Sequence, residues 1–354
     1  MPVRIHPQDV LKALAAVKDP SQQRDIVSLN LVKDLEIGEN GVSFTLQLAN
    51  PSSPASAQLI ENARQAVKAL GVADVQVRVA AGSAPSTSRP NLIPQVKNTV
   101  AVASGKGGVG KSTVAVNLAV ALHRGGAKVG LMDTDVYGPS VPHLMGSQTA
   151  PIVVEGKLEP PTQHGIKMIS IAYFLPVDEA VIWRGPMLHK TIHQFLGDVR
   201  WGELDYLVID LPPGTGDIQL SLSQTIPLTG AVIVSTPQDI ALSVASKAIA
   251  MFNKLNVPIL GVVENMSYYT CPHCGQREDI FGHGGARAAA NRMKLPFLGE
   301  IPLDAVIRTQ SDRGHPVALD DSTGAGRAFL ETAQALIAQI ERAQEQASQE
   351  IQIE

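Results

Sequence analysis

The sequence predicts an α/β protein with a mostly parallel sheet covered by helices, preceded by a smaller α/β domain. Three observations carry this. From about residue 97, short continuous apolar runs alternate with longer helical segments: "NTVAVAS", "KVGLMDTD", "YLVIDLPP", "AVIVSTP" and "PILGVVENM". Strands buried on both faces read as uninterrupted apolar runs, and the helices between them make the parallel crossovers. The first run leads directly into the glycine-rich stretch "GKGGVGKS" (105–112), which then opens a helical pattern. Before all this lies "AGSAPSTSRPNLIPQV" (81–96), rich in Ala, Ser and Pro. Such a composition buries little and marks a linker.

Taken in order, the first unit spans 1–80. "PQDVLKALAAVKDP" has helical apolar spacing and stops at a proline. "GVSFTLQLA" alternates as a strand, "ASAQLIENARQAVKALG" is a helix closed by Gly71, and "VADVQVRVA" is a further strand. The linker 81–96 follows, then the large unit at 97–347, whose last helix covers about 325–347. An acidic tail, 348–354, ends the chain.

Composition excludes several classes. The chain has 354 residues, 44% hydrophobic and 18% charged, which is globular rather than disordered. Aromatics are only 4%, which disfavours base stacking as a trade. Lys plus Arg number 29 against 33 Asp plus Glu, a net charge of −4, so no nucleic-acid partner is expected. The N-terminus "MPVRIHPQDV" has no apolar signal core, and no run approaches the ~18 apolar residues of a membrane span. The expectation is a cytoplasmic protein with no membrane partner.

"GKGGVGKS" fits G-x-x-x-x-G-K-[ST] in the strand–loop–helix setting of a P-loop NTPase. The backbone of Gly105, Lys106, Gly107, Gly108, Val109 and Gly110 can turn its N–H groups inward around phosphate oxygens, and the helix N-terminus adds partial positive charge. Lys111 is placed to bridge the β- and γ-phosphates of ATP, Ser112 to ligate Mg²⁺, and Thr113 to donate to the α-phosphate. A loop lysine is not expected to be part of the core. Acidic partners stand at strand ends: Asp133 and Asp135 in "LMDTDVYGPS", Asp210 in "LVIDLPPGTGD", and Asp217 beyond its glycine turn. Such aspartates can hold Mg²⁺ directly or through water, or can cap turns and helices. Beside this loop, Asp135 and Asp210 are the ones assigned to the site. Lys106 is a second lysine where the motif needs one.

The two cysteines, Cys271 and Cys274, lie in "CPHCG". Pro and Gly shape a knuckle whose amides can face the sulfurs. Two thiolates do not complete a tetrahedral or cubane set, so four would converge only if two chains paired. Spacing alone leaves zinc and iron–sulfur open. His189 and His193 in "RGPMLHKTIHQFL" stand at i, i+4; with no carboxylate or cysteine in the segment they read as a solvated face rather than a metal site.

"KGGVGKST", with its extra front lysine, resembles the deviant phosphate loop of the ParA/MinD superfamily. Together with "DYLVIDLPPGTGDIQLSLSQ", "WRGPM", "ENMSY" and "CPHCG", it is similar to the Mrp/ApbC branch, iron–sulfur cluster carrier ATPases, over about residues 97–345. The resemblance implies a homodimer in which Lys106 reaches the partner's phosphates as a catalytic group beside Lys111. It implies that Asp135 orients the attacking water, Asp210 serves Mg²⁺ and Asn265 reads the adenine edge. It implies a [4Fe–4S] cluster shared between two copies of Cys271 and Cys274, drawn from assembly scaffolds and passed to apo iron–sulfur proteins. The first unit resembles a small domain of other iron–sulfur assembly factors. That domain often carries a Cys-Pro where this chain has Ser53-Pro54, which points to regulation or docking rather than cluster chemistry there. Trp183 and Arg184 match the branch's signature without a mechanism. The rival reading is a zinc-stapled positioning or structural ATPase. Against a positioning role, the C-terminus "ERAQEQASQEIQIE" lacks the Lys/Arg and bulky apolar pattern of an anchor.

Overall fold

The computed structural model describes residues 6–18, 25–27, 31–38, 41–48, 54–72, 74–81, 91–174, 185–214 and 216–351. The chain divides into two compact units, 1–90 and 91–354.

The first unit contains α1 (Pro7–Leu14), β1 (Val32–Ile37), β2 (Gly41–Leu48), α2 (Pro54–Lys68) and β3 (Asp74–Ala81). Its sheet runs β1-β2-β3, with β1 antiparallel and β3 parallel to β2. Val10, Leu14, Phe44, Leu46, Leu59 and Val67 form its core. The sequence reading missed β1, "VKDLEI". Its apolar residues Val32, Leu35 and Ile37 break the period of two, and the structure shows why: the register shifts between Lys33 and Glu36. A bulge there returns all three to the core side.

The second unit begins with β4 (Val96–Ser104), α3 (Lys111–Arg124), β5 (Val129–Asp133) and α4 (Val141–Met145). A hairpin, β6 (Ile152–Val154) and β7 (Lys157–Glu159), precedes β8 (Thr162–Gln163) and β9 (Ile166–Ser170). Then come α5 (Gly185–Gly197), β10 (Leu204–Asp210), α6 (Asp217–Thr225), β11 (Gly230–Ser235), α7 (Asp239–Lys254) and β12 (Ile259–Asn265). A short hairpin, β13 (Tyr269–Thr270) and β14 (Arg277–Glu278), is followed by α8 (Gly285–Arg292), β15 (Phe297–Ile301), α9 (Ala305–Asp312) and α10 (Gly324–Ile351).

Eight strands form one sheet in the order β15-β12-β11-β4-β10-β5-β9-β8, parallel except for β8 against β9. The α/β expectation of a mostly parallel, helix-covered sheet is met. Val100, Val102, Val208, Val232 and Val234 face α3 and α10. Ala101, Ala103, Leu207, Ile209, Ala231 and Ile233 face the layer of α5, α6, α7 and α8. Both faces of each central strand are covered, so alternation disappears and the sequence reads as a continuous apolar run.

One boundary needs correction. The stretch expected as linker, 81–96, overlaps ordered structure at both ends. Ala81 finishes β3, while Ile93 is 4% exposed within the core of the second unit and Val96 starts β4. Pro90 and Pro94 made the stretch read as unstructured; burial of one isoleucine between them outweighs that signal. The final helix also runs past 347, to Ile351.

Candidate functional site: a phosphate-binding loop and a cysteine hairpin

Parallel pairing sets the register that builds the site. In β10, Asp210 stands opposite Val102 of β4 on one side and Asp133 of β5 on the other. The loop leaving β4 and both strand-end aspartates therefore meet at the carboxyl edge of the sheet, where ligands of open α/β folds sit. Gly108 and Gly110 adopt φ of +81° and +78°, a left-handed conformation that side chains rarely tolerate. Space around Gly108 is open, so the loop presents bare backbone there. A cleft of about 300 Å³ is lined by Lys106, Lys111, Ser112, Thr113, Asp135 and Pro213, among others.

Lys111 opens α3 and is buried, 6% exposed, which corrects the expectation that a loop lysine stays out of the core. Its ammonium lies 2.5 Å from Asp210 Oδ1 and 3.3 Å from Asp135 Oδ2. The Ser112 hydroxyl donates to Asp210 Oδ2 at 2.5 Å. A buried cation must be paired, and here the strand-end carboxylates pair it.

Asp210 is fully buried, and burial pushes its carboxyl up from the usual range, against the pull of Lys111. Asp133 is pushed up to about 7, first by burial and then by the charge of Asp210. Its oxygens accept from Ser170 Oγ (2.8 Å) and from the backbone N–H of Asp135 (3.1 Å) and Val141 (3.2 Å). Asp133 thus shapes the loop that carries Asp135. Asp135 in turn accepts from the backbone N–H of Tyr137 at 3.0 Å and keeps its other oxygen toward Lys111. The sequence assigns Asp135 to the site and leaves Asp133 open; in the structure Asp133 scaffolds and Asp135 faces the cleft.

Lys106 sits at the cleft wall, and among the described residues no carboxylate pairs with its ammonium. Asn265, at the end of β12, is brought to the loop: its amide nitrogen donates to the Val109 carbonyl at 2.8 Å. A Cβ on Gly110 would collide with that same amide.

Mg²⁺ is a hard cation that takes oxygen ligands near phosphate. The adjacent Ser112 hydroxyl and Asp210 carboxylate supply such a set, and the bare left-handed glycines supply a cradle that a Cβ would fill, so loop and donors fit a magnesium nucleotide.

The cysteines lie on a separate element. β13 and β14 pair antiparallel, Tyr269 opposite Glu278 and Thr270 opposite Arg277, and the knuckle forms the turn between them. Cys271 N–H donates to Gln276 O at 2.9 Å and Gly275 N–H to Cys271 O at 2.8 Å, with Gly275 at φ +69°. Both thiols are free, Cys271 half-buried and Cys274 exposed. The backbone N–H of Cys274, then that of His273, holds the Cys271 thiol below its usual range. These are the amides facing sulfur that the Pro and Gly positions imply. Beside the knuckle, Ile280 and Phe281 are exposed at 54% and 38%, large for apolar side chains.

Glu264, His283 and Glu300 have ligand atoms within 4.8 Å of one another. Their carboxylates are already engaged: Glu264 by backbone N–H groups, and Glu300 by Arg287 at 3.0 Å and Arg277 at 3.6 Å. The His189 and His193 rings lie 5.3 Å apart between centres, tilted at 49°, and His189 Nδ1 meets Thr225 Oγ1 at 2.9 Å. His189 reaches α6 through that contact, so the i, i+4 pair is not a wholly solvated face. Ser53, Trp183 and Arg184 lie outside the described residues, as does the side chain of Asp217, whose backbone opens α6. Ser170, Glu264 and Arg277 were not foreseen. Only Glu264 had a signal, a charge ending an apolar strand.

A family profile for NUBPL-type iron-transfer P-loop NTPases matches residues 95–337, and one for iron–sulfur cluster assembly proteins matches residues 7–104. The iron–sulfur cluster carrier protein of Deinococcus radiodurans is 49% identical over 335 residues, 94% of this chain and 95% of that one. A nucleotide-binding protein from Archaeoglobus fulgidus, solved in complex with ADP, superposes with a TM-score of 0.60 at 42% identity, covering 68% of this chain and 95% of its own. The cell-division ATPase MinD of Pyrococcus furiosus shares the fold at 22% identity, with a TM-score of 0.51 over 68% of this chain and 99% of its own. The loop, the strand-end aspartates and the cysteine hairpin lie within the matched span, and the chain belongs to the iron-transfer P-loop NTPases, the family of the iron–sulfur cluster carrier proteins.

Proposed function

We propose that this protein is an ATP-hydrolysing carrier that holds a labile [4Fe–4S] cluster between two copies of the chain and passes it to apo iron–sulfur proteins. The observation that carries the reading is the incomplete thiol pair. One chain offers Cys271 and Cys274 at the exposed tip of a hairpin, with amides stabilising negative charge on Cys271. A cubane generally takes four protein ligands, and two-fold symmetry sets identical residues opposite each other. The exposed Ile280 and Phe281 give the hairpin an apolar flank suited to such an interface. A site shared across an interface opens when the interface opens, which suits cargo rather than a structural metal.

In the nucleotide cleft, the loop N–H groups and the α3 N-terminus bind phosphate oxygens. Lys111 offsets the charge that develops on the transferred group. Mg²⁺ would be held by Ser112 and Asp210 and would supply further charge neutralisation there. Asp135 orients the attacking water. Lys106, unpaired with any carboxylate among the described residues, is free to act on the phosphates of a second copy, and hydrolysis then requires the dimer. Asn265 retains its amide oxygen for an adenine edge while its nitrogen holds Val109.

The test is anaerobic reconstitution of the full chain, with iron, sulfide and zinc measured against dimer concentration. About four irons and four sulfides per dimer support the carrier. Stoichiometric zinc without sulfide, in protein isolated without oxygen, leaves the zinc-stapled ATPase instead.

A further inference from the structure

Two neighbouring residues at the end of β12 grip the two sites from opposite directions. Asn265 is 5% exposed and holds the phosphate-binding loop through Val109 O, with Gly110 packed against the same amide. Loop and strand end cannot move independently while that contact stands. Glu264 is fully buried and points the other way. Its Oε1 accepts from Ser267 Oγ at 2.6 Å and from Gly284 N–H at 3.1 Å, and its Oε2 from Ala286 N–H at 2.6 Å. Gly284 is the N-cap of α8 and stands where the cysteine hairpin returns to the body of the unit.

The hairpin is therefore held at both of its roots by one strand end. Its entry is the chain itself: Met266 in a left-handed conformation (φ +56°), then Ser267 N–H bonded to Ile301 O, and Tyr268 O accepting from Leu303 N–H. The Tyr268 ring also carries the Arg277 guanidinium 4.0 Å from its centre, just past the knuckle. Its exit is the Glu264 carboxylate. A buried carboxylate accepting two backbone N–H bonds at a helix start is a stiff connection, because losing either bond leaves an N–H of the first turn without its acceptor.

We propose that Glu264 is a positioning residue that couples the phosphate-binding loop to the cysteine hairpin, with Asn265 as its relay on the loop. Nucleotide that tightens the loop around phosphate shifts Val109 and Asn265. The next residue, Glu264, then re-aims the first turn of α8 and the hairpin root. This rests on the carrier reading only for what the hairpin holds; the linkage itself needs no metal.

The experiment is hydrogen–deuterium exchange on the full-length, metal-free protein, with and without saturating Mg²⁺ and the non-hydrolysable analogue AMP-PNP. The expected result is a change of at least about fivefold in exchange at Gly284 and Ala286, the lower end of typical coupling. In Glu264→Gln the change on adding nucleotide disappears while AMP-PNP affinity holds. A merely structural role would speed exchange equally with and without nucleotide. Unchanged wild-type exchange at these amides, or a wild-type response in Glu264→Gln, overturns the proposal. Should that variant misfold, Ser267→Ala removes one bond from the same carboxylate and is expected to shrink the response; a full response counts against the linkage. A second arm measures iron release to a ferrous chelator from reconstituted protein. Protein that holds zinc alone would sink the carrier reading, and the exchange arm would still decide the linkage.

Discussion

The nucleotide cleft and the cysteine hairpin are opposite kinds of site. In the cleft the strand-end carboxylates and the lysine that opens α3 are buried and partnered within the chain: Lys111 by Asp210 and Asp135, Asp133 by Ser170 and two N–H groups. The hairpin has two strands of two residues each, an exposed tip, and two thiols that no third histidine, carboxylate or cysteine joins among the described residues. The first is nearly complete in one chain; the second offers two thiols and no more. A site meant to keep its chemistry fixed is built into the core, where reorganisation is costly. A site meant to release its occupant is built where few contacts oppose opening.

The sharpest way to break this contrast is to damage the buried side. Lys111→Ala is expected to lower ATP turnover by on the order of 10²–10³-fold or more, since it removes a preorganised charge from the transferring phosphate. Because the ammonium is also the counter-charge of two buried carboxylates, the fold should suffer too, by up to about 3–5 kcal/mol. Turnover and a denaturant midpoint check the two effects separately. Wild-type turnover in the folded variant would end the assignment of the cleft; an unchanged midpoint would show that the carboxylates take up protons instead.

On the exposed side the same kind of change should leave the fold alone. Cys271→Ser or Cys274→Ser is expected to lose the reconstituted iron and sulfide while ATP affinity stays within about twofold, since alcohols are poor ligands for iron beside thiolates. Metal analysis and nucleotide titration read both. If either variant keeps a full complement of iron and sulfide, the hairpin is not the cluster site.

This asymmetry also explains what the sequence could show. The phosphate loop and its aspartates were legible because backbone geometry and parallel register demand particular residues at particular places. Gly110 must be glycine beside Asn265, and Asp210 must end an apolar strand. The cysteines were legible as a pair but not as a hairpin, since strands of two residues leave no period to read. Long-range partners were invisible. Ser170 binds Asp133 from 37 positions away and Ala286 binds Glu264 from 22, and nothing local announces either. Val32–Ile37 was lost to a bulge that breaks alternation.

Lys106 tests whether the cleft is as complete as it looks. Lys106→Ala is expected to cut turnover about tenfold while nucleotide affinity changes little, because a group acting on the transition state contributes little to ground-state binding. Mixing this variant with a separately inactive hydrolysis variant should partly restore turnover through mixed dimers. Lost binding in the single variant, with no rescue on mixing, would place the lysine in its own chain's site and leave the dimer to the hairpin alone.

The smallest effect expected is a pH dependence that belongs to the buried site and has no counterpart at the hairpin. The Asp133 carboxyl is raised from an ordinary 3.8 to about 7 by burial and by Asp210. The folded chain therefore holds this proton where the unfolded chain has released it. Between about pH 4 and pH 7 the folded state binds more protons, so stability falls as pH rises through that window and levels off above it. Asp133→Asn cannot titrate. It loses some hydrogen-bond quality, because the amide nitrogen faces either the Asp135 N–H or, in the other orientation, the Val141 N–H and the Ser170 hydroxyl together, and absolute stability at low pH should drop by about 1 kcal/mol. What matters is the slope: the variant's stability curve should be flatter across the window, so that the gap to wild type narrows or reverses by pH 8. Urea midpoints from pH 5 to pH 8, without nucleotide, measure it, and histidines common to both proteins cancel in the difference. Parallel curves would mean that Asp133 is ionised throughout and that Lys111 compensates three carboxylates rather than two.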